Sequence, residues 1–331
     1  MIMGIPFSPV IAVPLLSFTV TFFITLWLIK GNAPKILDYP NARSLHTHPR
    51  PRTGGVGLMI GILSAWLLFS AALPTSVWLG VSLLTIISFV DDISDMPVWS
   101  RLLAHTLVAT FFSASYLVDT HGWIVIFLVV TATIWASNLY NFMDGSDGLA
   151  GGMAVIGFGC YGLVSFLADN HAFATINFTI AAAAMAFLLH NFYPARIFMG
   201  DAGAIPLGFL AAVLGVLGWV EGLWSWYFPL LVFSPFIADA SMTILKRALR
   251  HEIIWQAHRE HYYQRIIQNG FGHRNTALSS YALMLAVSAS AVWVLDQDIL
   301  IQCLVSTAWV SVYLASMLFF DRYQKSLFYK G

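Results

Sequence analysis

Residues 122–168 read GWIVIFLVVTATIWASNLYNFMDGSDGLAGGMAVIGFGCYGLVSFLA, a stretch of 47 residues without a single Lys or Arg. Two apolar runs, 122–139 and 148–168, flank a short polar knot. Each run has about the 17–25 residues that an α-helix needs to cross a bilayer. Backbone polar groups in hydrocarbon must be satisfied within the segment, so a helix is the form such a run takes. The pair therefore predicts a membrane hairpin with acids and amides concentrated at its tip.

The same pattern recurs along the chain. Of 331 residues, 59% are hydrophobic and only 10% charged, with 16 Lys+Arg against 16 Asp+Glu. Soluble domains carry about 25% charged residues. A soluble enzyme, a disordered tail and a secreted disulfide scaffold are all excluded, and without a basic domain nucleic acid is not an expected partner. Cys160 and Cys303 both lie in apolar runs and read as small packing residues rather than a bridge. Spans are expected at 7–29, 54–72, 76–90, 102–118, 122–139, 148–168, 172–192, 203–220, 225–245, 277–295 and 299–320. The first lacks the basic start of a signal peptide and reads as a retained span.

Charge orients these spans. With eleven of them, all sixteen cations fall on one side, from Lys30 and Arg52 through Arg101, Arg196 and the run Lys246–Arg274 to Lys330. The opposite loops hold Asp119, Asp169, Glu221, Asp296 and Asp298. The positive-inside rule makes the basic side cytoplasmic. The expected fold class is all-α: a polytopic membrane protein of about eleven transmembrane helices, N-terminus outside and C-terminus cytoplasmic. Residues 1–331 form one integral-membrane domain, with cytoplasmic loops at 30–53, 91–101, 140–147, 193–202 and 246–276.

Four polar clusters fall on that cytoplasmic face. Asp91-Asp92, followed by Asp95, ends the third span; adjacent carboxylates repel one another, and a divalent cation relieves the repulsion. Asp91 and Asp95 share a face at i,i+4 if the helix continues. Asn138, Asn141, Asp144 and Asp147 are spaced by three, so each pair can point the same way on a helical turn. Gly145 and Gly148 permit a turn and a close ligand approach. Asp201, in Phe198-Met-Gly-Asp, reads as a metal ligand or a helix N-cap, and Phe198 as interfacial packing or a stacking face for a base. His258, Arg259, His261 and Arg265 form a loop suited to diphosphate oxygens or to anionic lipid. A weaker element, Arg43-Ser44-Leu45-His46 leading into Pro49-Arg50-Pro51-Arg52-Thr53-Gly54-Gly55, has the composition to meet phosphates, although topology alone also puts cations here. Asp239, inside the ninth span, reads equally as a functional intramembrane acid and as a structural contact of Lys246. Hard carboxylate ligands point to Mg2+ rather than zinc, with Mn2+ as a substitute.

Together, Asp91-Asp92, Asn138-x-x-Asn141-x-x-Asp144-Gly-x-Asp147-Gly-Leu-Ala-Gly-Gly, Phe198-Met-Gly-Asp201 and His258-Arg-x-His261 resemble the polyprenyl-phosphate N-acetylhexosamine-1-phosphate transferases, glycosyltransferase family 4. The resemblance runs in order from about residue 38 to 275. It implies a bacterial inner-membrane enzyme that moves a sugar-1-phosphate from a UDP-N-acetylhexosamine to undecaprenyl phosphate. It also implies that UMP is released and magnesium is required. Under it, Asp91 and Asp92 handle the lipid phosphate and magnesium, Asp201 binds metal, and Phe198 lies beside the uracil. Asn138, Asn141, Asp144 and Asp147 bind nucleotide and phosphates; His261 engages the diphosphate with His258 and Arg259 beside it. The spaced His258/His261, and Asp95 where a Lys would stand, disfavour the muramoyl-pentapeptide branch. The loop looks like that of enzymes starting O-antigen or other surface glycans, and a homodimer is compatible with the sequence. An ion-coupled transporter is the rival from another class, but it calls for polar groups at mid-membrane, whereas these clusters sit at span ends.

Overall fold

The chain folds as expected for apolar runs with short polar breaks: nearly every expected span is one helix. The computed structural model describes residues 8–31, 36–40, 45, 48–69, 72–254, 256 and 258–328. Its helices are α1 Pro9–Ile29, α2 Gly54–Phe69, α3 Thr75–Ser94, α4 Val98–Leu117, α5 Trp123–Phe142, α6 Leu149–Leu167 and α7 His171–Asn191. They continue as α8 Asp201–Val220, α9 Tyr227–Val232, α10 Ser234–Leu249, α11 Tyr262–Ile266, α12 Gly272–Trp293 and α13 Ile299–Phe328. Eight helical segments among the described residues are long and apolar enough to cross a membrane. Outward faces are apolar too; Trp123 and Ile124 are 75% and 78% exposed, which suits lipid rather than water.

Three details depart from the expected spans. The ninth span is broken: α9 stops at Val232 and α10 restarts at Ser234, with Pro235 in its first turn. Proline has no N–H to continue the preceding helix but suits a helix start. The second span is shorter than expected, α2 having 16 residues. The loop before it contains a two-stranded antiparallel ribbon, β1 Leu37–Asp38 with β2 Arg50–Pro51, which an all-α reading did not include.

Helix α8 is the hub, packed by α3, α5 and α2, while α7 is packed by α1 and α6. At the start of α8 the fold turns on a contact between glycines. A Cβ on Gly55 would overlap the backbone N and Cα of Gly203. The Gly54 and Gly55 N–H groups donate to the carbonyls of Phe198 (3.0 Å) and Met199 (2.8 Å). These glycines bring two helix ends together, and their N–H groups are committed to backbone carbonyls. Arg43, Ser44 and His46 lie outside the described residues.

Candidate active site at the helix ends

The C-terminal ends of α3 and α5 and the N-terminal end of α8 meet on one face. Asp92 is the keystone there. It is 5% exposed, and its carboxylate accepts the N–H groups of Asp201 (3.2 Å) and Ala202 (3.1 Å), the first residues of α8. Unpaired N–H groups at a helix start favour an anion. The Arg52 Nε stands 3.4 Å from Asp92 Oδ1, and its guanidinium also donates to the Asp92 carbonyl. Gly200, at φ +71°, is needed here because a Cβ would meet the Arg52 carbonyl and come within 2.8 Å of Asp92 Oδ2. The β1–β2 ribbon positions Arg52: its N–H donates to the Ile36 carbonyl, and the Phe198 N–H donates to the Pro51 carbonyl.

Asp91 is equally buried but faces another way. It accepts the Met96 N–H at 2.6 Å and Arg101 Nη1 at 2.9 Å. Arg101 Nη1 also lies 3.5 Å from Asp201 Oδ2, so one guanidinium bridges two acids from different helices. Asp95 does not join them: α3 ends at Ser94, and Asp95 sits in the left-handed conformation, exposed. The expected i,i+4 pairing of Asp91 and Asp95 is therefore lost with the helix.

The 143–148 segment is a turn, not a helix, so Asp144 and Asp147 diverge instead of pointing the same way. Burial pushes the Asp144 carboxyl well above the usual carboxylate range; the charges of Asp201 and Asp92 add to that, and the Gly200 N–H opposes it. Asp147 turns to the scaffold, accepting the Ala195 N–H at 2.9 Å with His273 Nδ1 3.9 Å away. Asn138 donates to the Ile134 carbonyl (2.7 Å) and meets His105 Nδ1 at 3.3 Å, one turn behind the acids. Asn141 and Phe198 are half-buried at the rim; the Asn141 carbonyl accepts the Asp144 N–H.

The histidine loop abuts this turn. His261 is 3% exposed and stacks on Phe142 with ring centroids 5.8 Å apart; Tyr263 Oη donates to the Phe142 carbonyl at 3.0 Å. Asp239 has a plain structural task. It caps α11 by accepting the N–H groups of Tyr262 (2.8 Å) and Tyr263 (2.9 Å), with His261 Nδ1 at 3.4 Å. Lys246 does not reach Asp239 but pairs with Asp321 and Tyr262. Arg265 is also turned from the diphosphate role expected of it, donating to Asp321 (2.8 Å) and Gln324 (3.0 Å through Nε). Arg259 is exposed, and its carbonyl accepts from Gln268.

His258 departs from the expected cationic loop. Desolvation, with His261 and Arg247 nearby, lowers its pKa from 6.5 to about 4. It is a neutral acceptor near pH 7, taking the Glu260 N–H at 3.3 Å. Its folded pKa is depressed, so its contribution to stability is complete above pH 6.5 and is lost as pH falls toward 4. Purified protein should lose melting temperature between pH 7 and 5, and His258→Gln should lose measurably less. Equal losses in both proteins would contradict the neutral assignment.

Sequence reasoning missed Arg101, which it counted only as a cation of the basic side, and named Arg52 only as one of several cations in a loop that could meet phosphates. Arg101 had a signal: Met96-Pro97 after the acidic pair turns the chain back, returning the next cation to the acids. It also missed His273, whose ring links Ser146 Oγ (3.0 Å) to the Leu45 carbonyl (3.3 Å) and stacks on Tyr193.

Comparison with known proteins gives this geometry a family context. The family model described as glycosyl transferase family 4 matches residues 74–219. A probable undecaprenyl-phosphate N-acetylglucosaminyl 1-phosphate transferase of Bacillus subtilis (strain 168) is 28% identical over 291 residues, covering 82% of this chain and 81% of that protein. A decaprenyl-phosphate N-acetylglucosaminephosphotransferase of Mycolicibacterium smegmatis is 28% identical over 329 residues, covering 84% and 80%. A phospho-N-acetylmuramoyl-pentapeptide-transferase of Listeria monocytogenes is 34% identical, but over 125 residues and only 38% of this chain.

Proposed function

We propose that this chain is a polyprenyl-phosphate N-acetylhexosamine-1-phosphate transferase, as its likeness to glycosyl transferase family 4 and to the polyprenyl-phosphate transferases supports, that its donor is a UDP-N-acetylhexosamine and that its face of reaction is cytoplasmic. One observation carries this reading. Asp91, Asp92, Asp144 and Asp201, with Arg52 and Arg101, converge from four chain segments on one membrane face. A cytosolic nucleotide sugar and the headgroup of a membrane lipid meet at such a place. The cationic loops support a cytoplasmic orientation with eleven spans, N-terminus outside, in the plasma membrane.

The residues fit magnesium. Among the described residues no trio of His, Cys, Asp or Glu side chains forms a ready-made metal cage. Magnesium commonly binds through one or two carboxylates, keeping water and substrate phosphate as its other ligands. Asp201 and Asp92 would hold it, with Asp144 beside them. When bound, it supplies positive charge that offsets anion–anion repulsion and the charge of departing UMP.

The acceptor phosphate is largely ionised near pH 7, its second pKa being about 6, so direct attack needs no strong base. An oxygen of the lipid phosphate attacks the β-phosphorus of the donor. The bond from that phosphorus to the bridging oxygen breaks, and UMP leaves with the bridging oxygen and its electrons. Arg52 and Arg101 then have a second use. Each can exchange a carboxylate partner for phosphate oxygens, where a guanidinium fork binds two at once. Asp91, fixed by Arg101 and the Met96 N–H, orients the acceptor; Phe198 offers its ring to the uracil; His261, His258 and Arg259 border the diphosphate. The glycan served is an O-antigen or another cell-surface polysaccharide.

Membranes containing the protein, given radiolabelled UDP-N-acetylglucosamine and undecaprenyl phosphate, should form a lipid-linked diphosphosugar and UMP in a magnesium-dependent way. No product from this donor or its 6-deoxy analogues would overturn the proposal. Orientation has its own test. A cysteine at Asp169 or Asp298 should react with an impermeant reagent from outside, and one at Gln268 only from inside. Outside labelling at Gln268 would put the acids on the wrong side for a cytosolic donor.

A further inference from the structure

Helix α11 is five residues long, far too short to persist by its own hydrogen bonds, since isolated helices under about 12–15 residues are marginal in water. It nevertheless carries His261 at its N-cap, against Phe142 and the acidic turn. Other elements must hold it. Asp239 secures its N-terminal N–H groups and Tyr263 ties it to α5. The third tie comes from the far end of the chain.

Asp321 lies near the end of α13. From Ile299 to Asp321 is 22 residues of rise, roughly 33 Å at 1.5 Å per residue, enough to clear a hydrocarbon core of about 30 Å. Asp321 therefore emerges on the face that carries the acids. There it accepts from Arg265 (2.8 Å), from Tyr262 Oη (3.0 Å) and from Lys246. Gln324, one turn on, takes the Arg265 Nε. Arg265 also lies over the rings of Tyr262 and Phe320, 4.9 and 5.1 Å from their centroids. The carboxylate is only partly shielded, with its side chain 23% exposed, and three donors hold it in place.

We propose that Asp321 is a positioning residue of the transferase: it latches α11 to α13 and thereby holds His261 in register with the acidic turn. The proposal rests on the transferase reading above and adds to it a dependence on the C-terminal helix. Asp321 touches no reacting atom in this scheme; it acts through Arg265, Tyr262 and α11.

The test uses the full-length protein in inverted membrane vesicles. Asp321→Asn keeps the shape but loses the charge that holds Arg265 and Lys246. It should lower kcat at least tenfold with donor KM within about twofold, and it should speed tryptic cleavage between residues 259 and 265. Asp321→Glu should recover most of kcat and the slow cleavage. Wild-type kcat together with wild-type cleavage in Asp321→Asn would overturn the latch, as would Asp321→Glu behaving like Asp321→Asn. Should Asp321→Asn fail to insert, Arg265→Lys carries the same test, because it keeps the charge and loses the fork to Asp321 and Gln324. If wild-type vesicles make no product from any UDP-N-acetylhexosamine, the transferase reading fails, and the cleavage comparison still decides the latch.

Discussion

Replacing Asp201 by Asn should remove nearly all turnover, by about 10²–10³-fold or more, while leaving the protein inserted and its melting temperature close to normal. The magnitude is that of deleting one preorganised group that stabilises transition-state charge, roughly 2.7–4 kcal/mol. Asn suits the experiment because it keeps the shape and hydrogen-bonding reach of the Asp201 side chain and removes only its charge. The Asp201 backbone N–H, not its side chain, binds Asp92, and its carboxyl meets Arg101 at 3.5 Å and shares a hydrogen bond with the Asp91 carboxyl, contacts that an amide can still make. An amide of the same shape therefore leaves α8 in place and removes one negative charge from the proposed magnesium site. Turnover should be followed across a magnesium titration, with melting in parallel. Normal turnover with normal magnesium dependence would remove Asp201 from the metal assignment. Lost turnover with an equally collapsed melting temperature would mean that the charge serves the fold instead.

Gly55→Ala should have the largest effect on the fold. One methyl at this position overlaps the backbone of Gly203 and approaches the Met199 carbonyl. Backbone atoms cannot rotate away as a side chain can, so α2 and α8 must separate. Overpacking a tight contact costs typically 1–3 kcal/mol. Here the Gly54 and Gly55 bonds to Phe198 and Met199 stretch as well. Those bonds hold the Phe198–Asp201 segment, so activity should fall at least as far as stability. The measurement is the melting temperature of purified protein beside specific turnover in membranes. Gly222→Ala is a poor comparator because its φ is +76°, whereas Gly159, within α6 and with open space at its Cβ, should accept Ala with little change. A Gly55→Ala protein that melts and turns over like wild type would mean that the two helix starts are not held as described.

Much of this architecture is written in the sequence itself. Helix positions were legible because bilayer thickness fixes the length of each apolar run, and the acids stood out because charge in such runs is rare. Asp92, Asp144 and Asp201 were named from that rarity, and the fold brings them together. Their partners were less visible. Arg52 and Arg101 carry the same letters as any cation on the basic side, and only the ribbon and the Pro97 turn aim them at the acids. Asp147 looked like the twin of Asp144 because spacing by three implies a shared face on a helix. The chain is a turn there, and the two part. The role of Asp239 was open between chemistry and structure until the N–H groups of α11 were seen to end on it. A contact across 23 residues of sequence leaves no periodic trace.

The described segments of this face are braced against one another before any substrate arrives. The Phe198 N–H meets Pro51, the Ala195 N–H meets Asp147, the Gly148 N–H meets Asn191, and His273 spans Ser146 and Leu45. Their conformational entropy is lost when the chain folds, not when the donor binds. Within these braced segments little remains to be ordered on encounter, so interaction energy with the proposed nucleotide sugar passes to affinity and orientation. A surface built this way behaves as a rigid template. Under the proposed function it would recognise a headgroup by fit, and selectivity among related sugars would rest on individual rim side chains.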